Sequence, residues 1–134
     1  MTIEKQIEQF LVSPVFAVVG ASTNRNKYGN KVLRCYQQND RSVLPVHPKE
    51  PQIEGVDCVA SIADLPAEVE SLSVITPPGI TEQIVVQAAA QGIKNIWMQP
   101  GAESPAAVEY CVEQGINVIA DGSCLLVVLH YHEG

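Results

Sequence analysis

Along the chain, short and mostly apolar runs alternate with longer stretches whose apolar positions recur every three or four residues. Runs of the first kind mark strands buried on both faces, and stretches of the second kind mark amphipathic helices. Their alternation predicts βαβ units, and hence a mostly parallel sheet with helices on both faces. Residues 2–11 set Ile3, Ile7, Phe10 and Leu11 on one side of a helix that Pro14 ends. Val15–Val19 reads as a strand running into Gly20, and Tyr28 to about Asn39 has helical spacing through Val32, Cys35 and Tyr36. Ser42–Val46, Leu72–Ile75, Asn95–Met98 and Ile116–Ala120 supply the other main strands, five in all with Val15–Val19. Gly55–Val59 reads as a short extra strand and Ser61–Pro66 as one helical turn. A helix from about Ile80 to Gln91 is closed by Gly92, and Ser104 caps another that Pro105 opens and Gly115 closes. The β-branched run in the tail, residues 122–132, fits either a strand or a closing helix. No linker or repeat interrupts the pattern, so residues 1–134 are expected to form one α/β domain.

Composition adjusts this picture in two ways. Only 5% of residues are aromatic against 46% apolar, so aliphatic side chains must fill most of the core, as a covered parallel sheet requires. The four cysteines, Cys35, Cys58, Cys111 and Cys124, stand far apart with no C-x-x-C pair, which predicts reduced and mostly buried thiols. The opening MTIEKQIEQF scatters charges where a signal peptide would be apolar. The longest aliphatic run, Leu125–Leu129, is far short of the roughly 18 residues of a membrane span. A soluble, cytoplasmic protein without a membrane partner is expected.

The net charge of −7 conceals an asymmetry, because seven of the eight Lys and Arg precede residue 50 and twelve of the fifteen acids follow residue 49. A chain this acidic is poorly suited to nucleic acid, whose binding depends on neutralising phosphates. A local group of cations still suits a small phosphorylated ligand.

Ligands of open parallel sheets bind beyond the carboxyl ends of the strands, which here means residues 20–29, 47–50, 76–79, 99–103 and 121–124. The first of these loops carries the strongest signal. In V-V-G-A-S-T-N-R-N-K-Y-G-N-K, Gly20 lets the backbone turn tightly after a buried strand, and the helix that follows turns its free N–H groups toward an anion. Arg25, Lys27 and Lys31 add positive charge. The pattern is not G-x-G-x-x-G, since Ser22 stands where the second glycine would be and the loop is longer, which argues against ordinary NAD binding. At the end of the second strand, where an NAD site keeps an acid for the ribose, the chain has His47-Pro48-Lys49. A cation there suits a ribose phosphate, either the 3′-phosphate of coenzyme A or the 2′-phosphate of NADP, while the neighbouring Glu50 keeps NAD in play.

At this point the chain resembles the small stand-alone CoA-binding proteins, which are similar to the CoA-binding domain of the succinyl-CoA synthetase α subunit. The resemblance is carried by V-V-G-A-S with K-Y-G-N-K-V, then V-L-P-V-H-P-K, S-I-A-D-L-P, V-I-T-P-P, I-W-M-Q-P-G and the closing D-G-S-C, in order from Val18 to Cys124. It implies a five-stranded Rossmann-like fold. It also implies CoA phosphates at Gly20, Ala21, Ser22, Lys27, Tyr28 and Gly29, an adenosine 3′-phosphate near His47 and Lys49, and Thr76, Pro77 and Pro78 along the nucleotide. Relatives commonly carry a charged or polar stretch after Asp121 and Cys124, where this chain has Leu125–Leu129. Ligases of this kind also need further domains, including a phosphorylated histidine, for which this chain is too short.

No carboxylate pair, G-x-S-x-G elbow or Walker sequence is present. Asp121, Cys124, His130 and His132 invite a metal or thiol-nucleophile reading, but a buried structural cysteine is the better expectation for Cys124, and no metal site is assigned. Trp97 and Met98 are expected to pack in the core. The sequence therefore points to non-catalytic binding of coenzyme A or an acyl-CoA, with a regulatory or sensing role. An NAD(P)-binding oxidoreductase or redox-sensing subunit is the alternative. A homodimer and a partner enzyme are both compatible with it.

Overall fold

A computed structural model describes residues 1–133. Helix α1 (Ile3–Leu11) leads into β1 (Val15–Val19), α2 (Tyr28–Gln38) and β2 (Ser42–Val46). A hairpin of β3 (Gln52–Ile53) and β4 (Val56–Asp57) and a single 3-10 turn (Ile62–Asp64) precede β5 (Val69–Val74). The chain continues through α3 (Pro78–Ala90), β6 (Asn95–Met98), α4 (Pro105–Glu113), β7 (Asn117–Ile119) and α5 (Leu125–Val128). Five strands form one sheet in the order β2-β1-β5-β6-β7, every neighbouring pair parallel. After β2 the chain crosses back to the far side of β1, so the order reverses between β1 and β5, the Rossmann-like switch point at which ligands bind.

Register fixes what meets there. Val19 lies level with Val46 on one side and with Val74 on the other. The three residues that follow these, Gly20, His47 and Ile75, therefore leave the sheet side by side.

Alternation along each strand divides the core into two layers. Ala17, Val19, Leu72, Val74, Ile96 and Met98 face α3 and α4 in a layer that is almost wholly aliphatic. Phe16, Val18, Trp97 and Ile119 face α1, α2 and α5, and with Phe10 and Tyr36 they concentrate the aromatic rings on that side. Phe10 meets Trp97 edge to face at 5.2 Å, a favoured arrangement of two rings. Two serines of the central strand are buried, and each has a partner. Ser73 pairs with the Tyr36 hydroxyl at 2.6 Å, and Ser71 accepts from Asn95 Nδ2 at 3.0 Å.

The elements match the sequence pattern except in two places. Strand β5 begins at Val69 rather than Leu72, because partners from other elements admit Ser71 to the interior. The extra strand expected at 55–59 is a two-stranded hairpin, turning at Glu54 and Gly55, which both take positive φ. Val59 makes only an isolated bridge to Val46. Of the two readings left open for the tail, the helix forms: α5 and its C-cap bury Leu125 and Leu129 against the aromatic layer beside α2.

Candidate functional site

A cleft of about 570 Å³ opens at the switch point, lined by Gly20, Ala21, Ser22, Asn26, Lys27, Tyr28, Gly29, His47 and Ile75. Gly20 takes φ +93°, and a Cβ there would run into the carbonyl oxygen of Ile75. On Gly29 a Cβ would run into the carbonyl oxygen of Gly20 itself. Both glycines are thus demanded by close backbone packing of the loop on β5 and of α2 on the loop. That packing brings the start of α2 onto the end of β1.

Between the glycines the loop is a chain of short turns. Ser22 Oγ accepts from the Asn24 N–H at 3.0 Å, Asn24 Oδ1 accepts from the Asn26 N–H at 3.0 Å, and the Lys27 N–H donates to the Asn24 carbonyl at 3.0 Å. Lys27 is the N-cap of α2, and its side chain makes no capping bond. The N–H groups of Tyr28 and Gly29 have no acceptor among the described residues and border the cleft. They present the positive end of the helix to whatever occupies it.

The loop cations have different fates. Arg25 pairs with Glu54, and Lys31 pairs with Glu133 at 3.5 Å while lying over the Tyr28 ring. Lys27 has no ion-pair partner among the described residues, and it borders the cleft. The Asn30 amide beside it, followed by Arg25, holds the Glu54 carboxyl below its ordinary range. At the end of β2, His47 Nδ1 accepts from the N–H groups of both Lys49 and Glu50 at 3.0 Å. Nδ1 is thereby used within the turn, and His47 lines the cleft. Pro48 and Lys49 are exposed beyond it.

Thr76, Pro77 and Pro78 do not line this cleft. Thr76 Oγ1 bonds Thr81 Oγ1 at 2.8 Å, Pro77 is the N-cap of α3, and Pro78 is the first residue of that helix. Ile75, one residue earlier, takes the position at the cleft instead. It escapes a sequence reading because it continues an apolar strand.

Tyr28 and Ile75 also border a second cavity, of about 280 Å³, closed by Gln99, Pro100 and Cys124. Gln99 is buried and joins the loops beyond β6 and β7, its Oε1 accepting from the Leu125 N–H at 2.8 Å and its Nε2 lying 3.3 Å from Cys124 Sγ. Trp97 Nε1 donates to the Ser123 carbonyl at 2.9 Å and anchors the same loop from the core. All four cysteines are free thiols. Burial pushes the Cys35 thiol up to about 11, with nearby Cys124 adding to the effect, and burial alone does the same for Cys111. These two are inert structural thiols at neutral pH. Cys124 is half-buried at the cavity wall. Among the described residues no three His, Cys, Asp or Glu side chains gather as metal ligands, and no helix is long and apolar enough to cross a membrane.

The profile of a CoA-binding domain matches residues 14–130. The chain belongs to this CoA-binding domain family. The α subunit of the ADP-forming acetate–CoA ligase II of Pyrococcus furiosus is 27% identical over 81 residues, which are 60% of this chain and 18% of that one. The corresponding ligase II of Archaeoglobus fulgidus is 32% identical over 59% of this chain and 12% of its own length. The matched segment is thus under a fifth of either ligase's own length. Among solved structures, a hypothetical protein from Pyrococcus horikoshii OT3 superposes with a TM-score of 0.87 at 28% identity, covering 95% of this chain and 89% of its own. A conserved hypothetical protein from Pyrococcus furiosus gives 0.80 at 36% identity, covering 84% and 97%. These neighbours share the Rossmann-like α/β fold at nearly full length, whereas the ligases share only their CoA-binding part.

Proposed function

We propose that the chain binds coenzyme A, free or acylated, without catalysing its reactions, and that it serves regulation or sensing. The single observation that carries this reading is the shape of the groove. A polar cleft bordered by free helix N–H groups and Lys27 shares two walls, Tyr28 and Ile75, with a smaller cavity that Gln99, Pro100 and Cys124 also line. A ligand with phosphates at one end and a narrow arm at the other fits such a path. In this reading Gly20, Ala21, Ser22, Lys27, Tyr28 and Gly29 take the pyrophosphate. His47 and Lys49 take the adenosine 3′-phosphate, with Arg25 and Pro48 at the rim and Ile75 along the nucleotide in the cleft, while Thr76, Pro77 and Pro78 would meet the ligand only outside it. The thiol end reaches the second cavity. The ligase activity of the longer relatives belongs to those proteins.

Calorimetric titration with CoA, acetyl-CoA, NAD and NADP tests the reading. CoA and acetyl-CoA are expected to bind well ahead of both dinucleotides. NADP binding more tightly than CoA would return the His47–Lys49 turn to the 2′-phosphate reading and the chain to the dinucleotide class.

A further inference from the structure

Two side chains of α2 reach back to hold the glycine loop from behind. Asn30 Nδ2 donates to the Ser22 carbonyl at 2.9 Å and to Glu54 Oε2 at 3.0 Å. Arg34 Nη2 donates to the Arg25 carbonyl at 2.8 Å, and its Nε donates to Asn30 Oδ1 at 2.6 Å. Asn30 is fully buried and Arg34 is 6% exposed. A charge so deeply placed persists only if it is paired and bonded. Its carboxylate partner comes from the C-terminal strap, where Glu133 Oε2 accepts from Arg34 Nη1 at 3.3 Å and Tyr131 lies against the guanidinium, its ring centre 5.5 Å away. Gln38 fastens the strap by exchanging two hydrogen bonds with the His132 backbone. Glu54 closes the other side, taking a left-handed φ of 50° at the hairpin turn while its carboxylate spans Asn30 and Arg25.

The two bonds to loop carbonyls, at Ser22 and Arg25, point those oxygens into the protein. With them turned inward, the N–H groups of Tyr28 and Gly29 at the start of α2 are left without acceptors at the cleft. We infer that Asn30 and Arg34 are positioning residues for the phosphate loop, and that the strap at residues 131–133 holds Arg34 in place for this task. The inference rests on the phosphate reading of the loop only for its consequence on binding. A loop held in its binding shape before the ligand arrives spares the ligand the cost of ordering it.

Amide hydrogen exchange of the ligand-free protein reads the loop directly, and calorimetry with CoA reads the consequence. Asn30→Ala is expected to speed exchange of the amides between Ser22 and Tyr28 by about tenfold or more, with those of β1, β5 and β6 unchanged. Its CoA affinity should fall about tenfold. Glu133→Gln should act in the same direction by about twofold to threefold, an effect that fades at high salt because Glu133 is exposed. If Asn30→Ala does not fold, Asn30→Asp keeps the volume and the acceptor for Arg34 while removing both donors, and should show the same selective loosening. Wild-type exchange in the loop of either folded variant overturns the inference, as does loosening spread evenly over the sheet. Failure of the unaltered protein to bind CoA removes the ligand reading instead, and the exchange experiment still decides the role of Asn30.

Discussion

The two ends of the groove are made of different material. At the proposed phosphate end much of the wall is backbone of the glycine loop and of the first turn of α2, and the side chains that matter most there are the ones missing from Gly20 and Gly29. At the far end the wall is built from the side chains of Gln99, Pro100 and Cys124, carried by loops that Trp97 and Gln99 pin to the core. A backbone wall offers the same N–H groups whatever the residue types, so its chemistry is hard to tune and its geometry fails all at once. A side-chain wall can change its fit one residue at a time. The phosphate end should therefore decide whether the ligand binds, and the far end which thiol or acyl group it carries.

The largest effect that could break this contrast lies at Gly29. A methyl group there meets backbone on the facing side, with no flexible side chain to yield, so Gly29→Ala should cost about 2–3 kcal/mol of stability and remove CoA binding. The same change at Gly79, which has open space around it in α3, should be neutral or raise stability by about 0.5 kcal/mol. Urea unfolding of the two variants compares them, and equal stability would show that the loop is not packed as described. Gly20 is also tied to β5, so a valine there should disturb folding as well as exclude a ligand.

Next in size is the adenosine phosphate. CoA should bind more tightly than dephospho-CoA, and Lys49→Ala should erase most of a difference of about 1–3 kcal/mol. Calorimetry with both ligands measures this, and equal affinities in the unaltered protein would take Lys49 out of the site.

Smaller still is the contribution of the loop cations, and here the structure separates two residues that look alike in sequence. Lys27→Ala should weaken CoA binding by about 0.5–1 kcal/mol, and by less as salt screens the charge. Arg25→Ala should weaken it less than Lys27→Ala does, because Glu54 already holds the guanidinium. Titrations at low and high salt would show the reverse order if Arg25 leaves Glu54 for the ligand.

The smallest effect is expected at the side-chain end. Cys124→Ser should leave CoA affinity within about twofold, since it exchanges one small weakly polar group for another. The unaltered chain should show no steady acyl-CoA hydrolysis. Turnover that disappears in Cys124→Ser would make the far end a reaction centre and would undo the division proposed for the groove.

The sequence by itself determined the strand–helix alternation, the place of the glycine loop and the turn after β2, because each is written within a few neighbouring residues. Val15–Val19 cannot avoid burial, and Gly20 permits the turn that ends it. The tertiary structure decided what depends on partners far along the chain. The start of β5 was hidden because Ser71 looks like a surface residue until Asn95 satisfies its hydroxyl. Leu125–Val128 became a helix because its place against α2 and the Trp97 anchor outweighed the strand preference of its valines. The bracket behind the loop joins Asn30 to Glu54 across 24 residues and Arg34 to Glu133 across 99. No local pattern marks such a pairing. A buried arginine and an asparagine in a helical stretch read as solvated polar residues until the fold brings their carboxylates to them.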